Sequence, residues 1–424
     1  MKRVIIYGFG EAGIQVADDI LRKNLYEIVG FLDDDKSKFN SDYKNLKVLG
    51  DIKTLEGLKD KIDILIIAMP SASIERIREI EKIAFKIGIK DIRIVPKFYV
   101  KEEKVYLRHV VEVDIFEIFK KEEIEINYES LKSFYKGKCI LITGCAGSIG
   151  SGLLKEILNF DIKKVVGFDI DETRLYELEN ELEDKRFEIF LGDITDDYCL
   201  NEVFKENFDI VFHTAAYKHV PMLEKFPYMA NKVNVIGTKK LVNYSKLKRI
   251  EKFIFISTDK AVEPISVMGK TKKIAEEYVI KNGYTSVRFG NVINSRGSLF
   301  PTILKQIQKG YVKITNPNAK RYFITPKEAL LLTLNSVIIS KGGDILILDM
   351  GKAIPIKNLV EEVVKALGYE PYKDIKFIFT GLRKGEKLEE KLIGDDEIIE
   401  KTENPYIFRV LKKHNMNTLS NKWC

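Results

Sequence analysis

Short apolar runs that end in glycine, a small residue or an acid recur along the chain, separated by stretches whose apolar positions repeat at helical spacing. Runs at 4–7, 26–33, 62–68 and 92–96 read as strands, with an amphipathic helix to about Arg22 after the first. A second series follows, with strands at 139–143, 165–169, 187–193, 209–216, 254–256 and 286–292. Its helices run through Leu158, along a long stretch through Val233 and Thr238, and across Met268 and Lys272. Strands alternating with helices predict parallel sheets covered by helices, an α/β protein. Between the two series, 98–136 is charged, from Lys101-Glu102-Glu103-Lys104 to Lys120-Lys121-Glu122-Glu123, and reads as a connector packed partly on the next domain.

Each series opens on a glycine-rich turn. The first is Gly8-Phe9-Gly10-Glu11-Ala12-Gly13, and Asp33 ends the next strand at about the ~20-residue separation of a dinucleotide fingerprint. That pattern is informative about fold and weak about ligand, so a nucleotide site and a structural or regulatory module both stay open. The second turn, after Thr143, is Gly144-Cys145-Ala146-Gly147-Ser148-Ile149-Gly150. Glycines at every third position let the backbone approach a pyrophosphate that also meets the helix amino terminus. Thr143, Gly144, Gly147, Ser148, Ile149 and Gly150 are therefore candidate cofactor residues. Asp169 ends the next strand, where a carboxylate accepts from the adenosine ribose and repels a 2′-phosphate. NAD is favoured, and Arg174 nearby keeps NADP open. Asp193 and Ile194 are candidate adenine contacts, with a turn-capping role equally open for Asp193. Ala215 and Ala216 are small enough for a cofactor to lie close.

The expected domains are a Rossmann-like accessory domain over 1–97, the connector over 98–136, an NAD(P)-binding Rossmann domain over 137–285, and a smaller substrate lobe over 286–424 interleaved with that core. No short-period repeat interrupts this plan, and the two Rossmann-like units are its only duplication.

The chemistry gathers at one strand end. The run at 254–256 stops at Ser257-Thr258-Asp259-Lys260, and a helix follows with Met268 and Lys272 four apart on one face. An adjacent acid and base at the carboxyl end of a strand can move protons to and from a substrate. Lys218 and His219, just after the fourth strand, are candidate substrate contacts. Arg296, Arg321 and Arg383 sit in polar turns, and the last two could grip phosphate. Each alone also reads as a surface arginine.

Composition narrows the classes. The net charge of +7 is spread over a lysine-rich chain without a basic arm, which suits anionic small ligands and predicts no nucleic-acid partner. No apolar run reaches the roughly 20 residues of a bilayer span, and the amino terminus turns glycine-rich at once, so the expected address is the cytoplasm. The four cysteines contain no C-x-x-C pair and the four histidines no metal-like spacing, so no metal is expected.

Thr143 to Gly150 with the Lys272 helix resembles the extended short-chain dehydrogenases that act on nucleotide sugars. A narrower set comprises Ala216-Tyr217-Lys218-His219-Val220-Pro221, Ser257-Thr258-Asp259-Lys260-Ala261-Val262, Val267-Met268-Gly269, Arg288-Phe289-Gly290-Asn291-Val292 and Thr380-Gly381-Leu382-Arg383. It resembles the polysaccharide-biosynthesis branch whose members are UDP-N-acetylglucosamine 4,6-dehydratases, from about residue 100 to the end. Residues 1–97 resemble the extra domain of longer members, which usually begin with membrane helices; this chain lacks them, implying a soluble form. The resemblance implies a tightly bound NAD, a UDP-sugar substrate, a homo-oligomer, Asp259 as acid, Lys260 as base and Lys272 on the nicotinamide ribose. Thr258 joins the candidate catalytic set, and Asn291 and Glu386 join the substrate contacts. Met268 stands where the wider superfamily has a proton-accepting tyrosine, and methionine cannot accept that proton. Thr258, Asp259 or a water are the candidates left. A nucleotide-sugar epimerase and a non-catalytic NAD-sensing scaffold are the competing readings, and an intact acid–base pair argues against both.

Overall fold

The computed structural model describes residues 2–413, apart from 60, 70, 71, 73, 90, 96–123, 308, 367 and 368. The charged runs at 101–104 and 120–123 lie outside the described residues. The chain divides into two compact units. One comprises Met1–Lys121, Ile303–Lys313 and Asn358–Ile378; the other comprises Glu122–Thr302, Ile314–Lys357 and Phe379–Cys424. Part of the stretch expected as substrate lobe thus groups with the amino-terminal residues.

In the first unit, β1 (Arg3–Tyr7), α1 (Glu11–Lys23), β2 (Glu27–Leu32), β3 (Ile64–Ile67), α2 (Ile74–Lys86) and β4 (Asp91–Ile94) form a parallel sheet in the order β2-β1-β3-β4. A Cβ on Gly13 would lie 1.9 Å from the Gly8 carbonyl oxygen, so α1 can follow β1 this closely only with glycine there. The Asp33 carboxylate accepts from the amides of Phe9 and Asp35 and pairs with Lys38 at 3.0 Å.

The second unit begins with α3 (Tyr128–Tyr135), whose Leu131 and Tyr135 are wholly buried, the Tyr135 hydroxyl donating to the Leu334 carbonyl. Then come β5 (Cys139–Thr143), α4 (Ser148–Leu158), β6 (Lys164–Asp169), α5 (Glu172–Leu182), β7 (Phe187–Leu191) and β8 (Ile210–His213). A helical stretch follows, of α6 (Val220–Lys225), a π-helical segment Asn231–Gly237 and α7 (Thr238–Leu247). β9 (Lys252–Ile256), α8 (Val267–Lys281), β10 (Thr285–Arg288), α9 (Pro326–Ile339), β11 (Ile345–Leu348), β12 (Glu397–Lys401) and β13 (Ile407–Lys412) complete the frame. The sheet has nine strands in the order β12-β13-β11-β10-β9-β8-β5-β6-β7, parallel from β7 to β11, with β13 and β12 added antiparallel at one edge. The central strands are buried on both faces, which is why they read as unbroken apolar runs. Strand order reverses between β5 and β8, so a crevice opens at their carboxyl ends, where open α/β sheets bind ligands.

Candidate active site

The glycine turn after β5 is built for close approach. Gly144 has φ +73°, and a Cβ on it would lie 2.5 Å from the Ala215 amide nitrogen. A Cβ on Gly150 would lie 2.3 Å from the Gly144 carbonyl oxygen. α4 starts behind Gly147 with no capping side chain, whereas Asp171 caps α5 and Ser266 caps α8. The first-turn amides of α4 are left for an anionic group, as a pyrophosphate cradle requires. The Asp169 carboxylate accepts from the amides of Ala146 at 2.9 Å, Ile170 at 2.7 Å and Asp171 at 3.0 Å, which ties the glycine turn to the end of β6. A cavity of about 430 Å³ opens beside it, lined by Ala146, Ser148, Ser151, Arg174, Glu177, Asn294 and Arg296. Arg174 pairs with Glu177 at 2.7 Å, and Arg296 lies 3.4 Å from Asp171 while its amide donates to Ser148 Oγ. These residues fit a dinucleotide.

Across the switch point, β9 leads into the adjoining Asp259 and Lys260. Asp259 is fully buried at the start of a single 3₁₀ turn, Asp259–Ala261. Its Oδ1 accepts from the Thr258 hydroxyl at 2.8 Å and from the Lys260 ammonium at 2.9 Å. Its Oδ2 is buried without a hydrogen-bond partner. An orphan carboxylate oxygen at this place has its capacity left for a group that arrives from outside.

Lys272, one helical turn after Met268, is buried with its ammonium donating to the Ile256 carbonyl at 2.5 Å and standing 3.9 Å from the centre of the Phe255 ring. Burial pushes its pKa down to about 7, and Glu276 pulls it partly back. Glu276 is itself held by Arg288, at 2.9 Å from Nε, and Arg288 reaches on to Glu397 at 2.7 Å, so this wholly buried arginine anchors α8 to β10. Met268 packs with Leu223 and Ala230 and presents no proton acceptor.

The π-helical segment breaks what the apolar pattern reads as one long helix. It places Asn234 where its amide accepts from the Tyr217 amide at 2.8 Å and donates to the Tyr217 carbonyl at 3.0 Å, holding the loop after β8. The Asn234 carbonyl accepts from Thr238 Oγ1, which meets His213 Nε2 at 2.8 Å; His213 Nδ1 meets Thr143 Oγ1 at 2.7 Å. Burial, and then Lys272, push the His213 imidazole down to about 3, so it is neutral. Thr143, a cofactor candidate, thus turns its hydroxyl into the sheet.

Several candidates have structural partners. Asp193 Oδ1 accepts from the Thr195 amide, the turn-capping role, and Ile194 is buried against Gly237. Asn291 donates to the Tyr322 carbonyl, and the Arg321 guanidinium donates to the carbonyls of Lys320, Lys387 and Leu388. Arg383 and Glu386 close one exposed turn, each amide donating to the other residue, with Lys384 at 3.5 Å from Glu224. Lys218 and His219 stand on the exposed loop after β8, where the His219 ring lies against Gly297. Ile149 packs on the main core, and Ala216 follows Ala215 beyond β8.

The profile of the family described as polysaccharide biosynthesis protein matches residues 140–412. The chain belongs to that family. A second profile, described as the PglD N-terminal domain, matches residues 3–82 in this family member. An uncharacterized membrane protein of Methanocaldococcus jannaschii, MJ1061, is 43% identical over 66% of this chain and 88% of its own length. Capsular polysaccharide biosynthesis protein CapD of Staphylococcus aureus is 32% identical over 98% of this chain and 73% of its own. The solved structure of Pen from Bacillus thuringiensis is 32% identical, with a TM-score of 0.60, covering 66% of this chain and 88% of that one. Among the described residues, no helix is long and apolar enough to cross a membrane.

Sequence reasoning missed His213, Asn234, Lys387 and Glu390. Glu390 is buried within a charged stretch of sequence, and the Lys387 ammonium donates to the Val262 carbonyl at 2.7 Å. Nothing local signals that burial.

Proposed function

We propose that the protein is a nucleotide-sugar 4,6-dehydratase that converts UDP-N-acetylglucosamine to a 4-keto-6-deoxy sugar for a surface polysaccharide or glycan. One observation carries the reading: a buried carboxyl and an ammonium, Asp259 and Lys260, adjoin at a strand end beside a dinucleotide cradle, with one carboxyl oxygen unpartnered. Epimerisation at C4 needs no acid for a C6 hydroxyl, and an elimination needs both an acid and a base. The family, and CapD as a capsular polysaccharide biosynthesis protein, support the biosynthetic context. The glycine turn and Asp169 would hold NAD, which would supply a hydride acceptor for C4 and a hydride donor for C6.

The chain's own residues do the rest. Lys260, a neutral amine once its proton has passed to Asp259, takes the C5 proton, which the C4 ketone has made acidic. Asp259 gives a proton to the C6 oxygen, which leaves as water. Lys272 would hold the nicotinamide ribose, and its ammonium field would favour hydride uptake. Arg383 and Glu386 lie on the turn expected to meet the UDP.

The test is mass spectrometry of UDP-N-acetylglucosamine incubated with the purified protein in deuterated water. Loss of one water with one solvent deuteron at C5 is expected, and the C5 configuration then tells retention from inversion. A sugar isomerised at C4 without loss of water would establish the epimerase instead. Bound NAD with every UDP-sugar returned unchanged would favour the sensing scaffold.

A further inference from the structure

The Asp259–Lys260 pair has a neighbour that no motif announces. Glu390, a few residues beyond the Arg383–Glu386 turn, is 4% exposed, and its Oε2 is buried without a hydrogen-bond partner. The Lys387 ammonium lies 3.9 Å from that oxygen and donates to Val262, just after the turn that carries Asp259 and Lys260. Arg321 holds the same segment by the carbonyls of Lys387 and Leu388. The charged groups facing Glu390 are Lys260 and Asp259 from that turn, Arg321 from its strand, and Lys387 from its own segment.

Two carboxyl oxygens in this cluster, Asp259 Oδ2 and Glu390 Oε2, are therefore buried without hydrogen-bond partners. Ionisation of Glu390 is opposed by its burial and by the like charge of Asp259. Burial pushes the Glu390 carboxyl up; Lys260, Arg321 and Lys387 oppose the rise, and Asp259 adds to it. Asp259, by contrast, has Lys260 and Thr258 donating to it.

We propose that Glu390 is the third member of the catalytic cluster, forming with Asp259 a buried carboxyl pair that holds one proton beside Lys260 for delivery to the departing C6 oxygen. The proposal rests on the dehydratase reading. In the elimination the pair's O–H bond breaks as the proton passes to that oxygen, and the C6–O bond breaks with loss of water. The C5–H electrons form the C5–C6 double bond while Lys260 takes the C5 proton. The C4 hydroxyl has by then lost its proton to water on oxidation; as hydride reaches C6 a proton returns from Lys260 to C5, and the pair is refilled from water before the next turnover, so the count closes. Glu390 acts through Asp259 and is a positioning residue.

Infrared difference spectra of the resting protein, recorded without substrate as pH is raised, are expected to show a buried carboxylic-acid band that Glu390→Gln removes. In turnover, the same variant loses the like-charged partner that helps retain the proton. The alkaline limb of its kcat profile is expected to move down by about one pH unit, a roughly tenfold lower rate on that side, with little change in KM. A wild-type protein without the band, a band that survives in Glu390→Gln, or an unmoved alkaline limb overturns the proposal. A raised KM with an unmoved limb does so too, and marks Glu390 as a substrate contact. If the wild type eliminates water from no UDP-sugar, the dehydratase reading falls, while the infrared titration still decides whether the carboxyl pair exists.

Discussion

Lys272 shows how far a single side chain can be moved from its ordinary chemistry by its surroundings. Its ammonium has one carbonyl, one aromatic face and the more distant Glu276 to replace water. Its pKa falls from the ordinary lysine range to about 7 because burial outweighs Glu276. The sign for stability comes from linkage. Between about pH 7 and the unfolded lysine value of about 10.4 the unfolded chain binds the proton more tightly, so this group makes stability rise with pH across that window. Below pH 7 both states hold the proton, and the penalty is constant. In Lys272→Met that contribution vanishes. The variant's advantage over wild type in unfolding free energy, read from urea titrations, is expected to be largest at pH 7 and below, on the order of 1 kcal/mol or more, and to shrink towards pH 10. A constant difference between the two proteins across that range would show that Lys272 keeps an ordinary pKa. His213, driven to about 3, contributes nothing to the slope there.

Elements set where those side chains stand, as the close approach of α8 to the Asp259 turn shows. A Cβ on Gly269 would lie 2.2 Å from the Lys260 carbonyl oxygen and 3.1 Å from Pro264 Cβ. Gly269→Ala must therefore push the turn off the helix and displace Lys260. A shift near 1 Å at a catalytic group lowers turnover by about a hundredfold. That loss in kcat is expected with bound NAD retained, because the glycine turn after β5 is untouched; an unimpaired kcat would show that α8 does not place Lys260. The buried strands were legible because both faces are covered, as at Ile140, Leu141 and Ile142. The glycine turn was legible because only glycine meets its geometry at Gly144 and Gly150. The π-helical segment was not, since its cause lies in Asn234 meeting Tyr217 and Thr271, partners 17 and 37 residues away. Glu390 was hidden for the same reason: burial by segments distant in sequence leaves no local periodicity. The antiparallel edge strands β12 and β13 were missed because an irregular tail has no glycine turn to mark where pairing begins.

At the scale of the molecule, two glycine-rich turns sit in two compact units, and their surroundings differ. In the second unit Asp169 accepts only from backbone amides, and an uncapped helix start stands beside it. In the first, Asp33 occupies the corresponding strand end but is also paired with Lys38. An ammonium already on that carboxylate competes with ribose hydroxyls, so the dinucleotide is expected in the second unit alone. Separate compact units are expected to unfold in separate transitions, and a ligand raises only the transition of the unit that binds it. After bound nucleotide is stripped, NAD added at about a hundred times its Kd should stabilise one unit by about 2.7 kcal/mol. Calorimetry is then expected to show one transition moving up by several degrees and the other standing still. Gly144→Ala, which forces a Cβ against Ala215, should abolish the shift. If the other transition moved as well, the first unit's turn would be a second nucleotide site, and the Lys38 pair would have to open for it. A single transition that moved as a whole would mean that the units unfold together, and the first unit would then share in the stability that the cofactor gives the catalytic one.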